Sequence, residues 1–451
     1  MEDKISWFHK ENNTIMKAGF ARLDVTPNLG SPLAGYFFVR YADGILDPLE
    51  INAVSIGKDG RNVLIIACDF IGIQMDIASA VRERIEAATG VEKDCIMLCA
   101  LHQHTSVCIG DRLGKRTVTS FNDAAYLDVL YRKLVDVAKM AIDDMSEARI
   151  FTAEKEAIPN IAFVRRYRLE DGTVATNPVK DGPRPVSRCD GSDNTVRLLR
   201  FKREGKRDIA FVNFSTHSDV VKGTKISADW PGAVRRLIEA KLDASCICTV
   251  GFQGDSTHRD FLKPEEERFP MGDFALHSEY MGGIIADTVS SIWDSGIENT
   301  GDSIFGEYEV IFTKSNTDGE ELYEEKKAFL DEYNSGKMKS SPHITELATA
   351  KRIVEIRTSP IYRQIPITVI GVGNIAFVGI GGEPFTYYTR AVNAIANGKT
   401  VFCFCCANGY EGYLPHARAF LEGGYEAANS PFTPALEAEC IGTVDKLLKK
   451  L

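Results

Sequence analysis

Histidines stand directly after apolar stretches of this sequence, where strands are expected to end. His102 and His104 lie in LHQHTS after IMLCAL, and His217 lies in NFSTHSD after AFVNF. Neutral imidazole is a common metal ligand, and two histidines with a carboxylate form a standard catalytic zinc shell. A His-x-His motif alone is a weak signal, because such histidines more often cap a turn or face solvent. A zinc site therefore needs support from other clusters.

Two further polar clusters follow apolar stretches later in the chain. Glu383 lies in GGEPF after IAFVGI, and Tyr410 and Tyr413 lie in NGYEGYLP after VFCFCC. GGEPF could be a plain turn, and NGYEGY could be a tyrosine-rich loop packed on a sheet edge. In open α/β sheets, however, ligands bind beyond the carboxyl ends of the strands. Four polar clusters after four apolar stretches favour a common pocket.

Alternating strands and helices are predicted to position these clusters. Two strand–helix–strand units are predicted within 63–101 and 208–252 from apolar runs that flank segments with helical spacing. Further strands are predicted at 365–370, 375–380 and 400–405. Such units imply parallel strand pairing. The sequence thus predicts an α/β fold with a mixed, largely parallel central sheet flanked by helices, and an active site at the carboxyl ends of its strands.

Composition limits the possible functions. The 451 residues are 44% hydrophobic and 26% charged, which is typical of a globular protein. A net charge of -10 argues against a general nucleic-acid binder, since such surfaces need an excess of Lys and Arg. Residues 1–16 are polar and resemble no signal peptide, so we expect a cytoplasmic protein without integral membrane association. The odd number of cysteines favours reduced, buried thiols over a disulfide framework.

The domain organisation follows from the absence of a clear composition break. Residues 1–16 are predicted to be an N-terminal extension, and 17–451 a single catalytic domain. A charged insertion at about 317–357 is predicted to form a solvated helical hairpin. The sequence leaves the oligomeric state open, and a homo-oligomer is compatible with it.

Nine short motifs occur in the order found in the neutral/alkaline, non-lysosomal ceramidase family, which the chain resembles from about Ala18 onward. They are AGFARLDVTP, PLAGY, ILDPLEINAV, LHQHTS, NFSTHS, ISADWPG, FQGDS, GGEPF, and NGYEGY with GGYEAANS. The resemblance implies an α/β catalytic domain with one Zn²⁺. The ligands it implies are His102, His217, Glu383 and Tyr413.

The resemblance also implies residues that act beside the metal. His104 corresponds to a histidine that faces the substrate carbonyl, and Tyr425 in GGYEAAN to a catalytic tyrosine. Arg165 in FVRRYR corresponds to the family's arginine, although Arg166 or Arg168 could be the one that points inward. These groups would stabilise negative charge on the carbonyl oxygen, and His104 could pass a proton to the leaving amine.

Other residues are predicted to contact the substrate or support the ligands. Asp255, Thr257 and His258 lie in GDSTHRD, where threonine replaces a family serine and histidine a proline. Tyr410 is expected to contact the substrate from the same cluster as Tyr413. Asp69, at the end of its predicted strand, could accept a hydrogen bond from a ligand histidine or cap a nearby turn.

The predicted function is hydrolysis of an amide (N-acyl) bond in a small or lipid-like substrate by zinc-activated water. The metal half of the family pattern is kept and the substrate half is altered, so ceramide itself is in question. No counterpart of the family's immunoglobulin-like C-terminal domain is expected within the 451 residues. One alternative is a zinc hydrolase or lyase that acts on an ester or lactone of a soluble metabolite. Another is a non-catalytic binding protein with the same fold.

Overall fold

The structure, a computed structural model, describes residues 16–110, 120–121, 123–338 and 342–451. Apart from Met16, the predicted N-terminal extension lies outside these residues. The α-helices of the described part are α1 Met75–Thr89, α2 Ala124–Asp143, α3 Asp229–Lys241, α4 Phe274–Ile292, α5 Tyr323–Asn334, α6 Ile344–Ile356, α7 Tyr387–Ile395, α8 Ala417–Glu422, α9 Tyr425–Asn429 and α10 Leu436–Leu448.

A large mixed sheet forms the centre of the molecule, as predicted. Its strands in spatial order are Ala244–Val250, Asp208–Phe214, Thr195–Arg203, Ser146–Glu156, Lys17–Asp24, Glu50–Lys58, Arg61–Cys68 and Ile96–Ala100, with Ile297–Glu298 beside Ser146–Glu156. Parallel pairing occurs only at the two ends of this order, and the pairs between them are antiparallel. The expectation of a largely parallel sheet is therefore wrong, because antiparallel strands separate the two strand–helix–strand units.

The first unit, Arg61–Cys68, α1 and Ile96–Ala100, shows how the sequence builds one end of the sheet. Both strands are almost entirely buried, as their apolar runs require, and they pair in parallel across α1. The helix ends at Thr89 and is capped by Gly90, whose φ of 75° suits a residue without a Cβ. His102 follows the second strand by two residues.

The second unit, Asp208–Phe214, α3 and Ala244–Val250, has the same arrangement at the other end. Ala244–Val250 contacts Arg61–Cys68 across the curled sheet. The carboxyl ends of the two units therefore meet, which brings His217 towards His102.

A smaller sheet supplies the remaining site residues. Its strands are Ile304–Lys314, Tyr362–Val372, Ile375–Ile380 and Thr400–Phe404, and the last two pair in parallel. Beyond them, Glu383–Pro384 and Tyr413–Leu414 form a short parallel pair in which Glu383 lies opposite Tyr413. The remaining strands form short pairs or triplets: Pro32–Leu33, Arg40–Tyr41, Gly44–Ile45, Gly72–Ile73, Cys108–Ile109, Ser120–Phe121, Phe163–Val164, Arg166–Leu169, Val174–Thr176, Pro185–Arg188, Lys225–Ile226 and Ser256–Thr257.

The charged insertion forms the predicted pair of helices, but only α5 is solvated along its length. It buries none of its residues, whereas α6 buries Leu347, Ala348, Ala350 and Ile353 and packs against α9. The description of the whole hairpin as solvated is wrong for α6, because this apolar face is covered by the rest of the fold. Residues of α6 line one side of a cavity that also reaches Glu383 and Tyr413.

Two further properties concern the chain as a whole. All cysteines are free thiols, and each except Cys108 is buried. Within the described ranges, none of the helices has both the length and the hydropathy needed to cross a bilayer.

Candidate metal centre

His102 and His217 meet at the carboxyl ends of the two units, with ring centroids 4.9 Å apart. Nδ1 of His102 lies 2.8 Å from the carbonyl oxygen of Ile71, and Nδ1 of His217 lies 3.1 Å from that of Gln253. A carbonyl can only accept, so each Nδ1 carries the proton and each Nε2 presents a lone pair. Backbone carbonyls that fix the tautomer in this way are typical partners of metal-binding histidines.

Glu383 directs a carboxylate oxygen at these two lone pairs. Its Oε2 lies 3.1 Å from Nε2 of His102 and 3.6 Å from Nε2 of His217. Oε2 of Glu383 and Nε2 of His217 are buried and form no hydrogen bond within the described part of the chain. Three acceptor atoms that converge in a buried place need a positive charge between them.

A single proton satisfies this arrangement only in part. Burial opposes protonation of His102, but the Glu383 carboxylate outweighs it and raises the pKa of His102 above its ordinary value. Burial and the charge of Arg165 lower the pKa of His217 far below its ordinary value, which leaves its Nε2 bare. A divalent cation would satisfy all three atoms, so these residues fit a zinc ion by both donor chemistry and orientation.

Tyr413 is held beside Glu383 by the short parallel pair and by Arg165. Nη2 of Arg165 donates to the Tyr413 hydroxyl oxygen at 3.0 Å and to the carbonyl of Gly254 at 3.0 Å. Nε of Arg165 donates to Oε1 of Glu426 at 2.6 Å, and both side chains are buried. Arg165 therefore lies behind Tyr413 and positions its oxygen, rather than reaching the cavity itself.

The neighbouring arginines have other partners. Arg166 is fully buried and donates to the carbonyl of Gly423 at 2.8 Å and to Oε2 of Glu422 at 3.3 Å. Arg168 is half-exposed and pairs with the same glutamate. Of the three arginines left open by the sequence, Arg165 is the one that contacts a predicted ligand.

His104 lies beside the pair, with its ring centroid 5.0 Å from that of His102. Its Nδ1 is 3.5 Å from Oδ1 of Asp219, which also accepts hydrogen bonds from Tyr36 and Lys222. Neither ring nitrogen forms a hydrogen bond within the described residues, but the negative charge of Asp219 favours the tautomer with the proton on Nδ1, in which Nε2 is an acceptor. Burial lowers the pKa of His104 to about 3 despite Asp219, so the ring is neutral at physiological pH.

Asp219 is the residue that the sequence prediction missed. It stands two positions after His217 in HSD, and a carboxylate so close to a predicted ligand was the available signal. The structure also offers an alternative ligand set, since one ligand atom from each of His102, His104 and His217 lies within 4.8 Å of the others. Both ligand sets contain His102 and His217. The first adds Glu383 and Tyr413, and the second adds His104.

Asp69 has a role different from both predicted ones. It contacts neither ligand histidine, whose Nδ1 partners are backbone carbonyls. Its carboxylate is fully buried and accepts from Nη1 and Nη2 of Arg235 at 3.1 and 2.6 Å. It also accepts from Nε2 of Gln103 at 2.8 Å. Asp69 thus anchors the residue between His102 and His104, and the φ of 62° at His102 shows that this turn is unusual for a residue with a Cβ.

The GDSTHRD segment lies apart from the cavity. Asp255 accepts from the backbone N–H of Thr386 at 2.7 Å, and so fixes the chain after Glu383. Thr257 lies in a short strand paired with Phe163–Val164, and His258 packs against His277 with ring centroids 5.2 Å apart. None of the three is among the described residues that line the cavity. Direct substrate contact by Asp255, Thr257 and His258 is therefore unsupported by this arrangement.

A cavity of about 260 Å³ opens above the centre. The predicted residues His102, His104, Glu383, Tyr410, Tyr413 and Tyr425 line it. Tyr410 packs on His102 with ring centroids 5.6 Å apart, and Tyr425 packs on Tyr413 at the same distance. The structure thus brings the predicted ligands and both tyrosines to one place.

The fold and the centre define a mixed α/β protein with a buried His–Glu–Tyr cluster at strand ends. Neutral ceramidase from Pseudomonas aeruginosa shares this fold with a TM-score of 0.72 and 17% identity, over 97% of this chain and 74% of that one. A ceramidase solved in complex with C2 has a TM-score of 0.70 and 15% identity, over 97% of this chain and 75% of that one. No protein-family model and no curated sequence matches the chain.

Proposed function

We propose that the protein is a zinc-dependent hydrolase that cleaves an amide (N-acyl) bond. The observation that carries the proposal is the convergence of Nε2 of His102, Nε2 of His217 and Oε2 of Glu383 in a buried place. The fold of the two ceramidase structures supports it, because those proteins are named for hydrolysis of an amide.

The proposed ligands are His102, His217, Glu383 and Tyr413. When bound, a zinc ion would lower the pKa of a bound water to about 7 and polarise the substrate carbonyl. Glu383 contributes the negative charge, and Arg165 donates to the Tyr413 oxygen, which favours electron density on that oxygen. The two backbone carbonyls behind the histidines accept from Nδ1, so that in the neutral rings each Nε2 directs its lone pair at the ligand position.

His104 and Tyr425 are the proposed catalytic residues on the substrate side. Nε2 of His104 has no hydrogen-bond partner in the described part of the protein, and the ring lines the cavity. We propose that this atom accepts a hydrogen bond from the attacking water and directs the water at the carbonyl carbon, while the charge of Asp219 favours the ring orientation. The Tyr425 hydroxyl would donate to the carbonyl oxygen as negative charge develops there.

Metal removal and restoration would test the proposal. The protein stripped with a chelator should lose hydrolysis of a panel of N-acyl amides and regain it with added Zn²⁺. Matched esters and lactones in the same panel address the alternative reaction, because the same centre would serve either bond. Turnover that survives complete metal removal, or hydrolysis of esters and lactones alone, would refute the amide proposal.

Tyr425→Phe and His104→Ala connect the result to the chain itself. Both should lower kcat and kcat/KM together while zinc content stays near that of the wild type, because the proposed contacts form in the transition state. If either substitution changed only KM, the residue would belong to substrate binding. If His104→Ala lost zinc, the three-histidine ligand set would replace the proposed one.

A further inference from the structure

The outer wall of the cavity above the metal centre is cationic. This wall contains Lys351 and Arg352 of α6 and the buried Arg363. Among its described residues, the carboxylate group belongs to Glu355, which is exposed. At the inner end, His102 and Glu383 are 1% and 2% exposed. The cavity therefore runs from a buried metal centre to a partly exposed wall of positive charge.

Lys351 is the residue of this wall whose positive charge is partly desolvated without an ion pair among the described residues. Its side chain is half-buried, and burial lowers its pKa although Glu355 opposes the shift. Within the described residues the ammonium forms no ion pair, and its Nζ lies 4.1 Å from the centroid of the Phe37 ring. A cation–π contact offsets only part of the cost of desolvating an ammonium. An anionic ligand in the cavity would supply the missing charge.

Arg352 adds positive charge in a fixed orientation. Its Nε donates to the carbonyl of Ala428 at 3.0 Å, and its Nη1 donates to the carbonyl of Asp318 at 2.9 Å. These carbonyl acceptors are neutral and hold the guanidinium in place, while the exposed Asp318 carboxylate offsets part of its charge. Arg363 donates from Nη2 to Oγ of Ser359 at 2.7 Å.

A sequence of aromatic contacts connects this wall to the metal centre. Phe37, under the Lys351 ammonium, packs edge-on against Tyr425 with ring centroids 6.2 Å apart, and Tyr425 packs against Tyr413 at 5.6 Å. Phe37 and Tyr425 therefore lie along the cavity wall between Lys351 and the ring of Tyr413. The cavity volume of about 260 Å³ is below the roughly 300–1,000 Å³ that encloses drug-sized ligands.

We propose that the substrate is a small, soluble amide that carries a carboxylate, and that Lys351 with Arg352 binds this carboxylate while the amide lies at the metal centre. The proposal rests on the hydrolase function and names its substrate class. A ceramide-like molecule with two long aliphatic chains lacks the anionic group that this wall would bind.

Matched substrate pairs test this inference on the full-length, zinc-loaded enzyme. N-acetyl amino acids would be compared with the corresponding neutral N-acetyl amino alcohols, and N-succinyl amines with N-pentanoyl amines. The wild type should prefer the carboxylate member of at least one pair by about tenfold or more in kcat/KM, which corresponds to about 1.4 kcal/mol. N-acyl amines with a phosphate in place of the carboxylate show whether the cationic wall binds any anion or prefers a carboxylate.

Substitutions assign the preference to Lys351. Lys351→Met should abolish the preference mainly through KM for the carboxylate substrate, and Lys351→Arg should restore most of it. For Lys351→Met, kcat/KM for the neutral substrate should fall far less than kcat/KM for the carboxylate substrate. Lys327→Met is the matched control, because Lys327 is exposed on the neighbouring helix α5 and does not line the cavity. It should keep the wild-type preference.

Calorimetric binding of the same compounds separates this inference from the hydrolase function. If no amide is cleaved but the carboxylates bind in a Lys351-dependent way, the hydrolase proposal fails and the carboxylate site stands. If neutral or long-chain amides are cleaved at least as well as the carboxylates, the substrate class is wrong and the hydrolase proposal stands. Absence of binding by every carboxylate, preferred binding of the phosphate compounds, or an unchanged preference in Lys351→Met would overturn the inference.

Discussion

Asp69→Asn should destabilise the protein strongly, although it changes only one atom of a side chain remote from solvent. Asp69 is 0% exposed and Arg235 is 2% exposed. The carboxylate accepts two bonds from that arginine, one from the backbone of Glu50 at 2.8 Å and one from Gln103. An asparagine in this place turns an acceptor into a donor that faces other donors.

The expected loss of stability depends on the burial of the Asp69–Arg235 ion pair and on the charged partner that Arg235 keeps in the variant. Removal of one partner from a buried ion pair typically costs about 3–5 kcal/mol, because the other charge is left uncompensated. Glu50 keeps an oxygen 3.1 Å from Nε of Arg235 in the variant. We therefore expect a loss near the lower limit, about 3 kcal/mol in the free energy of unfolding.

Urea unfolding followed by circular dichroism measures this loss, and Asp302→Asn is the control. Asp302 pairs with Lys58 at 2.7 Å, but its side chain is 73% exposed, so the free energy of unfolding should hardly change. Because Asp69 also anchors Gln103 between two centre histidines, zinc affinity should fall in the Asp69 variant and not in the control. A loss below about 1 kcal/mol, or equal effects in both variants, would refute this account of the buried pair.

Two glycine substitutions give further predictions. A Cβ on Gly254 would lie 2.2 Å from the backbone oxygen of Glu383, so Gly254→Ala should lower the zinc content and cost about 1–3 kcal/mol of stability. Gly283→Ala is the control, because a Cβ there meets open space within α4, and it should change neither quantity. Equal zinc content in the two variants would contradict the prediction. Gly35 has a φ of 99°, and a Cβ there would lie 2.6 Å from Nδ1 of His104. Gly35→Ala should therefore lower kcat by about tenfold or more with zinc retained, and an unchanged kcat would contradict this placement of His104.

The sequence was sufficient for the elements that end at the centre. Apolar runs such as Ile96–Ala100 and Ile375–Ile380 form buried strands because their residues have no other favourable place, and the polar residues that follow them must lie at strand ends. Strand direction could not be inferred in the same way. Lys17–Asp24 and Ser146–Glu156, at the middle of the sheet, pair with strands far away in the sequence, and the pattern of a strand does not identify such a partner.

The parts of the site that the sequence left open depend on tertiary contacts. Arg165 pairs with Glu426, whereas Arg166 and Arg168 both pair with Glu422, the first from a buried and the second from a half-exposed position. The inner face of α6 was visible in principle, since its four buried residues recur with helical spacing. The many charged residues of this segment led to the prediction of a fully solvated hairpin. The apolar face of α6, and the cavity wall that includes Lys351, were therefore not predicted.

Zinc stoichiometry tests the central claim most directly. Protein purified without a histidine tag and measured by elemental analysis should contain one zinc ion per chain. His217→Ala and Glu383→Gln should lose it, whereas His104→Ala should retain it, because His104 faces Asp219 and the substrate side of the cavity. A wild-type content near zero after zinc loading, or zinc retained in both His217→Ala and Glu383→Gln, would contradict the proposed metal centre.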